Sequence, residues 1–281
     1  MSNRIEINNL TMRFGHVEAL KNVSVSFDSG KIYGLLGRNG AGKTTLLNAI
    51  NNRVIPTEGS VSINGNPACE NDHALASVFY VGEKQLMPSD IRVEEYFKTT
   101  AHFFSFDQEY ANGLAAEFRL DTTKKLKSLS TGYGTIAKLI AALATDAEYL
   151  LLDEPVLGVD ANHRELFYRH LLENYAERPR TIMLSTHLIE EISKIVERVV
   201  IIKEGRLMLD TSAEEMLAMG YCVSGRAGDV DAYCTGKQVL SMDVLGALKT
   251  ACILGSPETI PESLERSPLD MQKLFVYLTN N

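Results

Sequence analysis

Gly37-Arg38-Asn39-Gly40-Ala41-Gly42-Lys43-Thr44-Thr45 fits G-x-x-x-x-G-K-[ST] without a mismatch, at Gly37, Gly42, Lys43 and Thr44. An apolar run, Ile32-Tyr33-Gly34-Leu35-Leu36, precedes it and reads as a buried strand. Leu46-Leu47-Asn48-Ala49-Ile50 follows and reads as a helix. Strand, glycine loop, helix is the context this motif needs. Gly37, Gly40 and Gly42 carry no Cβ, so backbone N–H groups can close on phosphate oxygens, and the helix N-terminus adds its dipole. Lys43 is placed to bridge β- and γ-phosphates, and the Thr44 hydroxyl to bind Mg²⁺.

The next signal is Tyr149-Leu150-Leu151-Leu152-Asp153-Glu154. Its apolar residues read as a central strand, and two carboxylates stand at the carboxyl end, where open parallel sheets bind ligands. Asp153 there can hold Mg²⁺, and Glu154 can polarise a water. Thr181–Ser185 reads as the neighbouring buried strand and ends in Thr186-His187. A lone histidine after a strand is usually structural, but this one neighbours the Asp153 strand, which favours a role in the site.

Between these segments, residues 86–145 read as mainly helical: Val93–Phe104, Gln108–Phe118 capped by Asp107, and a helix from Gly132 or Tyr133 to Ala144 capped by Ser130. By itself Leu129-Ser130-Thr131-Gly132-Tyr133 is a capped helix start with open N–H groups. Upstream of the glycine loop, Arg4–Leu10, Val17–Ala19 and Val23–Phe27 read as strands of an antiparallel layer. Phe14 lies among them; its ring could stack on a base, although such a ring is more often core or edge filler. Ser77–Val81 reads as a strand leaving through Gly82-Glu83-Lys84-Gln85. After His187 the spacing of Leu188, Ile192, Ile195/Val196 and Val199 predicts a helix. Val199–Lys203 and Arg206–Leu209 then predict a hairpin. Residues 221–281 give short strand-like runs (Gln238–Met242, Ala251–Leu254), a mobile glycine-rich stretch at Gly225–Gly228 and a final helix near Pro268–Leu278.

Composition sets outer bounds. The 281 residues are enough for one large or two modest domains, and a 45% hydrophobic, 23% charged chain is ordinary globular protein. No apolar run approaches the ~20 residues of a membrane helix, and there is no signal-peptide pattern, so work at a membrane would need another chain to cross it. A net charge of −8 argues against nucleic acid as partner. Cys69, Cys222, Cys234 and Cys252 show no paired spacing and read as free thiols in a reducing cytosol.

The order of these motifs, over roughly residues 1–220, resembles the ATP-binding cassette (ABC) ATPases. Phe14 matches the aromatic that stacks on adenine, GRNGAGKTT the Walker A loop, LSTGY (Leu129–Tyr133) the family signature, LLLDE Walker B, Val159-Asp160 the D-loop and His187 the switch histidine. The resemblance implies an α/β P-loop fold with a mixed sheet, an antiparallel β layer, an inserted helical subdomain at about 86–145 and a small C-terminal α+β region, 221–281, after a domain at 1–220. It implies ATP and Mg²⁺ as ligands. The nucleotide would be held by Phe14, Asn39, Gly40, Ala41, Gly42, Lys43, Thr44 and Thr45, and in trans by Ser130 and Gly132 of a second subunit. Mg²⁺ would be held by Thr44, Asp153 and Glu83, with catalysis by Glu154, His187 and Lys43. Two departures stand out. The signature, usually LSGGQ, has Thr131 and Tyr133, and Glu83 stands where a glutamine is usual, with Gln85 a weaker substitute. The resemblance further implies an exporter motor of the ABC-2 type for peptide, antimicrobial or other small amphipathic cargo. It would work at the cytoplasmic face of the membrane with a separate transmembrane permease and a second ATPase subunit, itself or a paralogue. A soluble ABC ATPase, for instance of the iron–sulfur assembly type, and a low-turnover regulatory module stay open at this point.

Overall fold

The computed structural model describes residues 3–83 and 88–280. Lys84 and Gln85, and with them the weaker substitute for the usual glutamine, lie outside the described residues, as does the start of the stretch read as helical from 86. The chain forms two compact units: Met1–His187 with Val200–Leu209, and Leu188–Val199 with Asp210–Asn281.

The first unit begins with an antiparallel sheet. β1 (Arg4–Phe14) pairs with β2 (Val17–Asp28), which is one continuous strand where the sequence suggested two. The interruption is a bulge: Asn22 takes φ 52° and the register shifts between Leu10↔Val23 and Met12↔Leu20. A strand can absorb such an extra residue and keep its buried face, here Leu20, Val23, Val25 and Phe27. β3 (Ile32–Leu36) is buried at every residue and leads to helix α1 (Lys43–Ile50). β4 (Glu58–Ile63) and β5 (Asn66–Pro67) complete the first sheet in the order β2-β1-β4-β5. The turn between them, Asn64-Gly65, has φ 52° and 78°, as a two-residue hairpin turn demands.

The short helix α2 (Asp72–Leu75) precedes β6 (Val78–Val81). The helical segment consists of α3 (Val93–Thr100), α4 (Gln108–Glu117, capped by Asp107) and α5 (Thr131–Ala144, capped by Ser130). β7 (Tyr149–Asp153), α6 (Ala161–Glu177, capped by Asp160) and β8 (Thr181–Ser185) follow. The sheet order is β10-β9-β3-β8-β7-β6, where β9 is Arg198–Lys203 and β10 is Arg206–Ser212. β3, β8, β7 and β6 run parallel, with Asp153 beside Ser185 and Val81 beside Leu152. The carboxyl ends of β7 and β8 are therefore level, which sets Asp153-Glu154 next to Thr186-His187.

In the second unit the expected helix after His187 is cut short. α7 spans only Ile189–Ile192. Ile192, Val196 and Val199 are all buried, so the apolar spacing is real, but Val199 belongs to β9. The run Arg198-Val-Val-Ile-Ile-Lys203 buries on both faces as a strand, and the chain turns before reaching it. α8 (Ala213–Leu217) carries a capping box, Ser212 with Glu215. β11 (Gly220–Arg226), α9 (Ala227–Cys234), β12 (Val239–Leu245), β13 (Leu248–Leu254), β14 (Glu265–Pro268) and α10 (Met271–Asn280) complete it, with sheet order β12-β13-β11-β14. Gly225–Gly228, read as a mobile stretch, is the end of β11 and the first turn of α9. Gly225 packs closely there: a Cβ would lie 2.4 Å from a Leu264 methyl and 3.0 Å from the Ser263 carbonyl. The expectation of four free thiols is also corrected. β11 and β13 pair antiparallel with Cys222 opposite Cys252, and these two form a disulfide. Cys69 and Cys234 are free.

One buried cation ties the end of α5 to its neighbours. The Arg180 guanidinium donates to the carbonyls of Leu143 (3.1 Å) and Thr145 (2.8 Å) and to Asn174 Oδ1. Burial lowers its pKa to about 10. Replacing Arg180 with methionine strands buried acceptors at the carboxyl end of α5, so urea unfolding should show a loss of about 3 kcal/mol; an unchanged midpoint would mean those carbonyls are satisfied otherwise.

Candidate nucleotide-binding site

The glycine loop is shaped by close backbone approach. Gly40 and Gly42 take φ 80° and 112°. A Cβ on Gly42 would lie 2.8 Å from the Ala19 carbonyl, and one on Gly37 2.6 Å from the Ile202 carbonyl. Gly42 caps α1 without a side-chain bond, leaving the first-turn N–H groups to an anion. Asn39, Gly40, Ala41, Gly42, Lys43, Thr44, Thr45 and Glu154, with Ala19, line a cavity of about 260 Å³. The seven loop residues assigned to nucleotide thus converge on one space, joined by the proposed base. Phe14 is half exposed at the end of β1 and does not line that cavity.

Lys43 is 6% exposed, and its ammonium donates to Gly37 O at 2.8 Å. Burial pulls its pKa down, while Glu154 and Asp153 pull it back up. The ammonium also reaches Arg38 O at 3.5 Å, and with three N–H donors it keeps at least one for a phosphate oxygen.

Asp153 closes β7 and is 6% exposed. Its Oδ2 accepts from the Tyr80 hydroxyl at 3.3 Å, and its Oδ1 is buried without a hydrogen-bond partner. Burial and the Asp153 charge push the Tyr80 pKa up to about 12, so the phenol stays a donor. Arg53 lies over the Tyr80 ring, 4.2 Å from its centre. An unmatched carboxylate oxygen and the exposed Thr44 hydroxyl are hard oxygen donors of the kind Mg²⁺ takes. No cluster of three or more His, Cys, Asp or Glu residues that could cage a metal occurs among the described residues.

Glu154 takes φ 49°, a left-handed conformation costly for a non-glycine residue. Its N–H donates to Ser185 O at 2.7 Å, and its Oε2 pairs with His187 Nδ1 at 2.8 Å. The strained backbone turns the carboxylate out of the sheet toward the glycine-loop cavity, and His187 holds it there.

Ser130 and Gly132 do not line that cavity within one chain. Ser130 caps α5 by accepting from the Tyr133 N–H at 3.3 Å. It lines a second groove of about 310 Å³, together with Glu83, Lys138, Asp153 and Glu154. Gly132 has a packing role besides: a Cβ there would sit 2.6 Å from the Gly158 carbonyl. The Tyr133 ring packs edge-on to His163, whose Nδ1 bonds Asp160 Oδ2 at 2.6 Å. The backbone N–H and the ring of His163 hold the Asp160 carboxyl below its usual range. Tyr80, Lys138 and His163 were not singled out from sequence. Only Lys138 had a local signal, as the one charge in the helix TGYGTIAKLIAALA.

Comparison with known proteins decides the family. Residues 20–157 match the family model described as ABC transporter. The chain is 30% identical over 220 residues to the Nod factor export ATP-binding protein I of Burkholderia lata, covering 76% of this chain and 72% of that one. This chain belongs to the ABC transporter ATP-binding proteins. The ABC transporter ATP-binding protein YtrB of Bacillus subtilis is 26% identical over 97% of both chains, so residues 221–281 also have a counterpart there. The Osmoprotectant import ATP-binding protein OsmV of Salmonella typhimurium is 30% identical, covering 76% of this chain and 60% of that protein. Among solved structures, the ATP-binding subunit of an ABC transporter superposes with a TM-score of 0.68 at 22% identity, over 75% of this chain and 91% of that one. A dimeric ATP-binding cassette with ADP and phosphate gives 0.64 at 24% identity, over 74% and 98%. The chain is an ATPase and an ATP-binding subunit of an ABC transporter. No helix among the described residues is long and apolar enough to cross a membrane.

Two outcomes follow for the site. Lys43→Ala should weaken ATP binding by about 3 kcal/mol, roughly a hundredfold in Kd by fluorescence titration; unchanged affinity would place the nucleotide elsewhere. Gly132→Ala should lower the melting temperature by forcing the Gly158 carbonyl away. Gly134→Ala, with nothing within 4 Å of the added methyl, should raise it or leave it unchanged.

Proposed function

We propose that this subunit drives export of a peptide, antimicrobial or other small amphipathic compound, and that it works as a head-to-tail dimer. The observation that carries the dimer is the separation of two half-sites in one chain. The cavity at the glycine loop and the groove at the Ser130 helix start are distinct, and Glu154 lines both. One subunit offers phosphate-binding N–H groups and Lys43; the open start of α5, with Ser130 and Gly132, is offered to the partner's γ-phosphate. Export as the direction is supported by the Nod factor export relatives.

In this reading Lys43 and the loop amides bind the phosphates, and Phe14 stacks on the adenine. Glu154 orients and deprotonates the attacking water, and His187, bonded to Glu154, sets the carboxylate's direction and stabilises charge on the γ-phosphate. Mg²⁺, held by Thr44, Asp153 and Glu83, would neutralise charge on the β and γ oxygens. Hydrolysis removes the group that joins the two subunits, and the dimer opens. A separate transmembrane permease would hold this chain at the cytoplasmic face of the membrane.

Glu154→Gln tests the arrangement. The amide keeps the shape and loses the base, so hydrolysis should stop while Mg-ATP traps a dimer in light scattering. If that variant stays monomeric with Mg-ATP at high protein concentration, the two-subunit site is refuted. Co-purification tests the permease: a polytopic membrane partner supports the transporter reading, and a soluble partner in its place would count against it.

A further inference from the structure

The groove at the start of α5 holds a cation that the reaction above does not use. Lys138 is half-buried, two turns beyond Ser130, and its ammonium donates to Gly82 O at 2.6 Å and Glu83 O at 3.3 Å. Those carbonyls belong to the chain leaving β6. The backbone there is tight: a Cβ on Gly82 would lie 2.3 Å from the Tyr80 hydroxyl, the same hydroxyl that holds Asp153. Carbonyl dipoles do not neutralise an ammonium. Burial pulls the Lys138 pKa down, and the Glu83 charge is what pulls it up. The groove's other cation, Lys127, pairs with Asp90. The groove's acids are Glu83, Asp153 and Glu154. A glutamine at position 83 would be neutral; a glutamate adds a third carboxylate to a pocket that must admit a polyanion.

We propose that Lys138 is a positioning residue for ATP hydrolysis: its ammonium, anchored on the Gly82 and Glu83 carbonyls, supplies the counter-charge that lets a glutamate stand at position 83. The inference rests on the roles given above to Asp153 and Glu154. It explains why an otherwise uncharged helix carries one lysine, and why that lysine faces the strand exit that bears the extra acid.

The test uses the full-length chain as wild type, Lys138→Met, Glu83→Gln and the double variant. Methionine keeps the stem and loses the charge and the donors. Lys138→Met should lower kcat with Mg-ATP at least tenfold when Glu83 is present, and threefold or less in the Glu83→Gln background. A second readout needs no turnover. ATP affinity in EDTA, from displacement of a fluorescent ATP analogue, should fall at least threefold in Lys138→Met and return in the double variant. Equal losses in both backgrounds, or wild-type kcat in Lys138→Met, overturn the proposal. So does loss of cooperative melting in both Lys138→Met chains, since charge offset predicts recovery when Glu83 is neutral. Glu154→Gln run alongside separates two failures. If it is inactive and Lys138→Met is unaffected, only the role of Lys138 falls; if it turns over normally, the hydrolytic site itself is misassigned.

Discussion

The phosphate loop is held by backbone against backbone, and the rest of the first unit is built to supply that grip. The Gly205 N–H donates to Ala41 O at 2.9 Å, and Gly205 O accepts from the Lys21 N–H at 2.8 Å. The turn between β9 and β10 therefore bridges the loop to β2. Three glycines make the approach possible. Gly37 abuts the Ile202 carbonyl, and Gly42 and Gly205 both abut the Ala19 carbonyl, each at a separation no Cβ tolerates. A loop fixed from three sides has its N–H groups aimed before the anion arrives, so binding does not have to order them. Lys43 can then stay buried, because its stem fills space the loop has already defined.

Carboxylates at the sheet ends are placed by register rather than by local preference. Asp153 pairs with Ser185, so Glu154 arrives beside His187 only because β7 and β8 run parallel and level. The left-handed turn at Glu154 costs free energy that its N–H bond to Ser185 O and its pairing with His187 offset. Asp153 keeps one oxygen unmatched in a buried setting, which is unfavourable without a cation and suits a residue whose partner is an ion.

Much of this was legible in the chain because the signals were local. The glycine loop, the acids that end LLLDE, and the caps at Asp107, Ser130 and Asp160 are short-range patterns set by neighbouring residues. What misled were features decided at long range. Leu188 to Val199 has helical spacing, yet Val199 is taken by a strand that pairs in the central sheet. Cys222 and Cys252 lie 30 residues apart and become neighbours only through the antiparallel register of β11 and β13. Gly225–Gly228 looked mobile because glycine is permissive, whereas Gly225 packs closely against Leu264 and the Ser263 carbonyl. Tyr80 gave no local sign, since its importance lies in Asp153, which reaches it from 73 residues away.

The signature segment shows how one substitution can be carried by others. Thr131 replaces a glycine, and its γ-methyl would lie 3.3 Å from a Cβ at position 158. Gly158, at φ 76°, removes that conflict, and its carbonyl in turn excludes a Cβ at Gly132. Tyr133, in place of glutamine, gives up an amide but gains an edge-on ring contact with His163, which holds Asp160. The signature helix is thereby tied within its own chain to the loop that follows Walker B. Residues 155–160 thus meet the helix start at two places, through the Gly158 carbonyl at Gly132 and, by way of Asp160, through His163 at Tyr133. Glu154 is the one lining residue that the glycine-loop cavity and the Ser130 groove share, so the two spaces meet at a single side chain.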